Sequence, residues 1–199
     1  MKLNFIKKYH FVFDKGKKNK KLKNTLLRKY KNYSPVKSKV IIVLGGDGFM
    51  LHTLKKYYKY NKPFYGINTG SFGFLMNEYK SKSLDMIIKK SKEVLISPLT
   101  MNALTKNKKS FRAIAVNEIS LLRQTRQTAS IKITSNNKNL INKLICDGVL
   151  VCTPAGSTAY NLSVNGPILS LNSKKFAVTP ISPFRPRRWK GKVVTSSSI

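Results

Sequence analysis

The chain has 199 residues, 41% of them hydrophobic, which is enough to bury a real core and too many for a disordered segment. No apolar run reaches the ~18 residues of a membrane-spanning helix. The N-terminal stretch lacks a signal-type cleavage site and two cysteines cannot build a disulfide framework, so a cytoplasmic setting is expected. The net charge of +32 attracts anions. Yet Lys outnumbers Arg 32 to 7 amid many Asn, Ile and Tyr, which fits an AT-rich coding bias better than a phosphate-reading surface. Neither a specific nucleic acid nor a membrane is therefore expected as a partner.

In chain order, residues 4–13 are a first strand candidate. Residues 15–39 read as a basic helix and a loop, with Leu22, Leu26 and Leu27 at helical spacing. Residues 40–44, Val-Ile-Ile-Val-Leu, form a buried strand of a parallel sheet. A helix over 49–60, a strand over 63–68 and an amphipathic helix over 84–94 follow, the last with Ile87, Ile88 and Leu95 on one side. This alternation predicts an α/β domain with a parallel, Rossmann-like sheet over residues 1–98. Residues 99–199 read as a β-rich domain. Its strand-like runs are 111–122, 129–134 and 144–152, broken by turns such as Ser135-Asn136-Asn137-Lys138. A short helix over 157–164 ends at Asn165-Gly166-Pro167. Residues 180–192 read as an extended ordered loop, and Val193-Val194 begins a further strand.

Four strings carry chemistry. Leu44-Gly45-Gly46-Asp47-Gly48 closes a buried strand and opens a helix, where open α/β sheets bind ligands. Asp47 there either caps the helix or works on a ligand hydroxyl or metal. Neither a Walker motif nor a complete dinucleotide fingerprint is present. Asn68-Thr69-Gly70-Ser71-Phe72-Gly73-Phe74-Leu75 reads on its own as a Gly-rich turn in which Asn68 can hydrogen-bond a ligand. Asn117-Glu118 reaches one ligand only from a strand end or bulge, and its carboxylate suits a ribose diol. The fourth string runs from Cys146 to Pro167. Asp147 lies in an apolar strand and needs a specific partner. Ser157 and Thr158 can cap the following helix or bind a ligand at its start, and Tyr160 and Ser163 share a face.

Taken in this order over residues 40 to about 190, the strings resemble the bacterial NAD kinases. Gly-Gly-Asp-Gly is shared with diacylglycerol, sphingosine and phosphofructo kinases, whereas Thr153-Pro-Ala-Gly-Ser-Thr-Ala-Tyr160-Asn-Leu-Ser-Val-Asn-Gly-Pro167 is highly specific. Thr179-Pro-Ile-Ser-Pro-Phe-Arg-Pro-Arg-Arg-Trp189 is similar to the alphaproteobacterial branch. The resemblance implies transfer of the ATP γ-phosphoryl to the adenosine 2′-OH of NAD. ATP and NAD are then the small-molecule partners, Mg²⁺ bridges the ATP phosphates, and the chain holds no metal itself. It implies a homo-oligomer.

By the same likeness Asp47 is the proton acceptor, with Gly46 and Gly48 beside it and His52 near the phosphates. Asn68 belongs to the same ligand site. Asn117 and Glu118 hold the adenosine part. Asp147 and Ser157, Thr158, Ala159, Tyr160, Asn161, Leu162 and Ser163 supply further dinucleotide contacts. Three departures accompany the likeness. Ile145 stands where the family often has Arg, Asn165 interrupts the glycine-rich ending, and the C-terminal half is expected to be short. The rival readings are a diacylglycerol-type lipid kinase and a non-catalytic basic protein binding nucleotides or nucleic acid.

Overall fold

The computed structural model describes residues 8–70, 73–80 and 82–195. The chain divides into two compact units, Met1–Glu93 and Val94–Ile199, against an expected boundary at 98/99.

In the first unit, β1 (Tyr9–Phe13), β2 (Val40–Gly45) and β3 (Phe64–Asn68) form a parallel sheet with β2 in the middle. A central strand covered on both faces must be apolar throughout, which explains the unbroken Val-Ile-Ile-Val-Leu run. Val40, Ile42 and Leu44 pack with Tyr9, Phe11, Leu26, Ile67 and Leu84 on one face. Ile41 and Val43 pack with Met50 on the other. Leu26 comes from α1 (Lys17–Lys29), Met50 from α2 (Asp47–Tyr57) and Leu84 from α3 (Leu84–Lys90), so helices cover both faces. Each fully buried Ile or Leu of β2 contributes ~2 kcal/mol.

The first strand is described only from Tyr9, and residues 4–7 of the expected strand lie outside the described residues. The last helix is shorter than expected. Its start is pinned by Tyr9 Oη donating to Asp85 Oδ1 at 2.5 Å and by Leu84 N donating to Tyr30 Oη at 3.0 Å. Burial, with the Asp85 carboxylate beside it, pushes the Tyr9 phenol far above its ordinary pKa. The helix ends because Ser91 is extended and the stretch after it is exposed, Leu95 by 84%, leaving no apolar face for another turn.

The second unit is built from antiparallel pairs. β4 (Leu99–Leu104) pairs with β5 (Ser110–Ala115), and β7 (Ala129–Ser135) with β8 (Lys138–Cys146). The expected Ser-Asn-Asn-Lys turn joins the latter pair, with both Asn136 and Asn137 at positive φ as a tight hairpin requires. β6 (Glu118–Leu122), β9 (Gly148–Cys152), β10 (Lys175–Ile181) and β11 (Lys192–Thr195) form a sheet ordered β11-β10-β9-β6.

Three expectations are corrected. The run 111–122 is two strands, broken at Val116-Asn117, because β5 pairs with β4 and β6 with β9. The run 144–152 is likewise broken, at Asp147. The loop expected over 180–192 contains the end of a strand. Pro180 sits in β10 opposite Val149, past the residues of β10 that pair with β11, so the ring leaves no ladder donor unmet on that side.

Candidate active site

Parallel pairing sets the ends of β2 and β3 side by side. Gly45 lies opposite Asn68, and Thr69 N donates to Gly45 O at 3.0 Å. Gly46 is the N-cap of α2 and Asp47 its first residue, so Asp47 does not cap its own helix. Its carboxylate instead accepts Phe74 N at 2.7 Å and Leu75 N at 3.1 Å. The first two strings therefore meet at one side chain. A Cβ on Gly73 would fall 2.7 Å from Asp47 Oδ1, so any larger residue there displaces that carboxylate or the loop. Asn68 Oδ1 accepts Gly70 N at 2.9 Å, so its carbonyl serves the turn. Ser71 and Phe72 lie outside the described residues.

Gly46 and Gly48 are different. A Cβ at either would meet no heavy atom within 4 Å, and neither has positive φ. Packing and backbone geometry thus give no reason for glycine at these two positions. What glycine does leave is bare N–H groups at the start of an 11-residue helix, a setting that favours phosphate. His52 is exposed one turn on, on the face of Gly48.

In the second unit, the break before β6 puts Asn117 at a strand end, the condition under which both Asn117 and Glu118 can serve one ligand. The Thr-Pro-Ala-Gly turn packs on that break. Thr153 N donates to Asn117 O at 2.8 Å and Thr153 Oγ1 to Val116 O at 2.6 Å. A Cβ on Gly156 would lie 2.3 Å from Asn117 O. Among the described residues, Asn117 Oδ1 and Glu118 Oε2 are buried with no hydrogen-bond partner. Two adjacent orphaned acceptors are costly unless a ligand donates to them. Burial also raises the pKa of the Glu118 carboxyl. Across the ladder, burial pushes the Cys152 thiol up to about 11, with the Glu118 charge adding to it, so Cys152 remains a thiol and not a nucleophile.

The helix expected over 157–164 is only α4 (Tyr160–Ser163), with Ala159 at its N-cap and no side-chain cap. Ser157 does not cap it. Its buried hydroxyl donates to Pro154 O at 2.8 Å and accepts Leu169 N at 3.0 Å, holding the preceding residues in turns. Asn161 is fully buried. Its Nδ2 donates to Pro167 O at 2.9 Å and Ser157 O at 3.3 Å, and its Oδ1 accepts Thr179 Oγ1 at 2.6 Å. The Ser157 and Asn161 side chains are thus engaged in shaping the loop. Tyr160, Leu162 and Ser163 are exposed, and Thr158 and Ala159 half-buried.

Asp147 stands apart from these. Glu118 pairs with Cys152 at one end of β9, whereas Asp147 precedes Gly148 at the other, a strand length of roughly 15 Å away. The partner its position demands is Arg123, whose Nε donates to Asp147 Oδ1 at 2.6 Å and whose backbone N donates to Asp147 O at 2.9 Å. With both side chains about a third exposed, the pair contributes at most ~1 kcal/mol. Sequence reasoning passed over Arg123, and it placed Thr153 and Thr179 in motif strings without a role. Arg123 left a weak signal there, as one of seven arginines in a Lys-biased chain. Among the described residues no three His, Cys, Asp or Glu side chains converge as a metal site.

The model of the ATP-NAD kinase N-terminal domain matches residues 4–92, and that of the C-terminal domain matches residues 116–198. The chain belongs to the NAD kinase family. It is 44% identical to the NAD kinase of Caulobacter vibrioides over 98% of this chain and 75% of that one. It is 46% identical to the NAD kinase of Rhizobium meliloti, over 91% and 70% of the two chains. Among solved structures, yeast NADH kinase complexed with NADH superposes with a TM-score of 0.74 at 19% identity, covering 96% of this chain and 70% of that one, a likeness of fold. An NAD kinase from Archaeoglobus fulgidus in complex with ATP gives 0.70 at 26% identity, over 96% and 78%. The parallel sheet followed by a sheet-rich unit is the NAD kinase architecture, and neither rival reading is favoured by these likenesses.

Proposed function

We propose that the chain transfers the γ-phosphoryl of ATP to the 2′-OH of the adenosine ribose of NAD, giving NADP. The observation that carries this reading is the Asp47 carboxylate, held by two backbone donors at the glycine-lined start of α2, in a chain of this family. Phosphoryl transfer needs positioning and charge neutralisation more than an unusual nucleophile. Asp47 orients the 2′-OH and takes its proton. The N–H groups around Gly46 and Gly48 face phosphate, with His52 on the next turn, and Asn68 positions the loop beside them. Asn117 Oδ1 and Glu118 Oε2 accept from the adenosine part, a ribose diol being the matching donor pair. Thr158, Ala159, Tyr160, Leu162 and Ser163 line the dinucleotide, on a loop fixed by Ser157 and Asn161. Asp147, at the far end of β9, meets a different part of a ligand.

Mg²⁺ accompanies ATP. Among the described residues no three His, Cys, Asp or Glu side chains offer it a cage. No helix among the described residues is long and apolar enough to cross a membrane. The two free thiols support a cytoplasmic location. The outer edge of β6, with Leu121 and Leu122 exposed on it, supports a homo-oligomer. The deciding experiment incubates pure protein with ATP, Mg²⁺ and NAD and reads NADP with an NADP-specific dehydrogenase. Absence of NADP at any enzyme concentration overturns the reading.

Two variants refine it. Gly48→Ala adds a methyl into open space and removes a poor helix former, so melting temperature should hold or rise while activity falls about tenfold or more. Equal activity would show that nothing approaches this backbone. Glu118→Gln tests the raised carboxyl. A pKa raised by burial means the ionised form is disfavoured in the fold, so stability is lost as pH rises through the folded value. Glu118→Gln should therefore melt higher than wild type at neutral pH, with the gap closing as pH falls and Glu118 protonates. The ionised form is the better acceptor for ribose hydroxyls, so the wild-type KM for NAD should rise with the same acidification and the variant's should not. A variant less stable at neutral pH, with a wild-type pH profile, contradicts both halves.

A further inference from the structure

Three of the seven arginines in this Lys-rich chain fall within four residues, at Arg185, Arg187 and Arg188. The backbone fixes where they lie. Ile145 N donates to Arg185 O at 2.8 Å, Phe184 N donates to Ile145 O at 2.7 Å, and Asp147 N donates to Ile181 O at 3.0 Å. The segment after β10 is thus laced onto the end of β8 and the Asp147 turn. The guanidinium carbons of Arg185 and Arg187 stand 5.4 and 5.5 Å from the centroid of one exposed ring, Phe184.

Two like charges on one ring repel each other, and among the described residues neither forms an ion pair. The acid tied to this segment, Asp147, is already neutralised by Arg123. A guanidinium held over an aromatic ring by cation–π attraction keeps N–H donors for planar, bidentate contact with an oxyanion. Composition bias does not account for the choice, since it supplies Lys elsewhere.

We infer that Arg185 and Arg187, held over the Phe184 ring beside the Arg123–Asp147 pair, form a subsite for the phosphates of a nucleotide, at the opposite end of β9 from Glu118. The anion is read from these residues. Only its identity as a nucleotide rests on the kinase reading.

Trp189 is the sole tryptophan, half-buried in the same segment with its N donating to Pro186 O at 3.2 Å, so its emission reports on this site without any assay of activity. Inorganic pyrophosphate should shift Trp189 emission saturably. The Arg185→Gln/Arg187→Gln double variant should weaken that binding about tenfold or more, and the Arg185→Lys/Arg187→Lys pair by less, because charge remains without the fork. Calorimetry provides a second readout on the same proteins. No heat and no emission change in wild type overturns the subsite, as does equal affinity in the Gln double variant at unchanged melting temperature. Competition then identifies the source. Displacement of pyrophosphate by NAD and not ATP assigns the dinucleotide's phosphates, and the converse assigns those of ATP. Displacement by neither means an adventitious ion only and overturns the nucleotide assignment. NADP formation with no pyrophosphate response sinks this subsite alone. A pyrophosphate response without NADP formation sinks the kinase reading and leaves the anion site standing.

Discussion

Asp47→Asn should lower kcat by about 10²–10⁴-fold, the span of a lost general base, with KM for NAD nearly unchanged. An ionised carboxylate only accepts hydrogen bonds, and here it meets two backbone donors, Phe74 N and Leu75 N. Asparagine keeps one acceptor oxygen and turns a donor group toward the second N–H. The variant therefore loses the proton acceptor and also loosens the loop after β3. The two effects separate in the kinetics. Loss of the proton acceptor lowers kcat and kcat/KM together, because that interaction belongs to the transition state. A loosened loop instead weakens binding and lowers the melting temperature by the worth of one hydrogen bond, ~1 kcal/mol. Steady-state kinetics with both substrates, beside a thermal melt, distinguish them. Near-wild-type kcat would remove Asp47 from the proton-transfer step and leave it as the clamp on Phe74 and Leu75.

That double duty marks where the sequence was legible and where it was not. The buried strand at residues 40–44 could be read because a central parallel strand has no polar face, and the Asn136-Asn137 turn because both residues need positive φ. The ligand-side end of β2 followed from the glycines placed after that strand. β4, Leu-Thr-Met-Asn-Ala-Leu, was not read, because its pairing with β5 is a tertiary matter and only Leu99 is buried. The Asp47–Phe74/Leu75 and Arg123–Asp147 contacts span 27, 28 and 24 residues, and no local periodicity encodes them. Composition could only say that an acid in an acid-poor chain needs a reason. The same limit explains Ser157 and Asn161. Their residue types suit ligands, and only burial reveals that their polar atoms face the loop's own backbone.

Asn161→Leu should accordingly destabilise the protein strongly while touching no exposed ligand-facing atom. Asn161 is fully buried, and its amide joins three segments: the turn at Ser157, the chain reversal at Pro167 and the strand β10 through Thr179. Leucine keeps the branching but carries bulkier methyl ends into a packed site, and it strands the Thr179 hydroxyl and the Pro167 carbonyl without their partner. A buried polar group left unmatched costs ~1–3 kcal/mol, so two give roughly 2–6 kcal/mol, and a chain of this size should melt about 4–24 °C lower. Gly166 lies against the same amide, with a Cβ there falling 2.1 Å from Asn161 Oδ1, so the glycine and the asparagine form one packing unit. The Thr179→Val change removes only one partner and should cost less. Combined with Asn161→Leu it should cost less than the sum of the two, because the hydroxyl that leucine strands is then already gone. Additive losses in that double-mutant cycle would show that the Asn161–Thr179 bond does not couple the loop to β10. A melting temperature unchanged by Asn161→Leu, with impaired NAD binding, would return Asn161 to the ligand site.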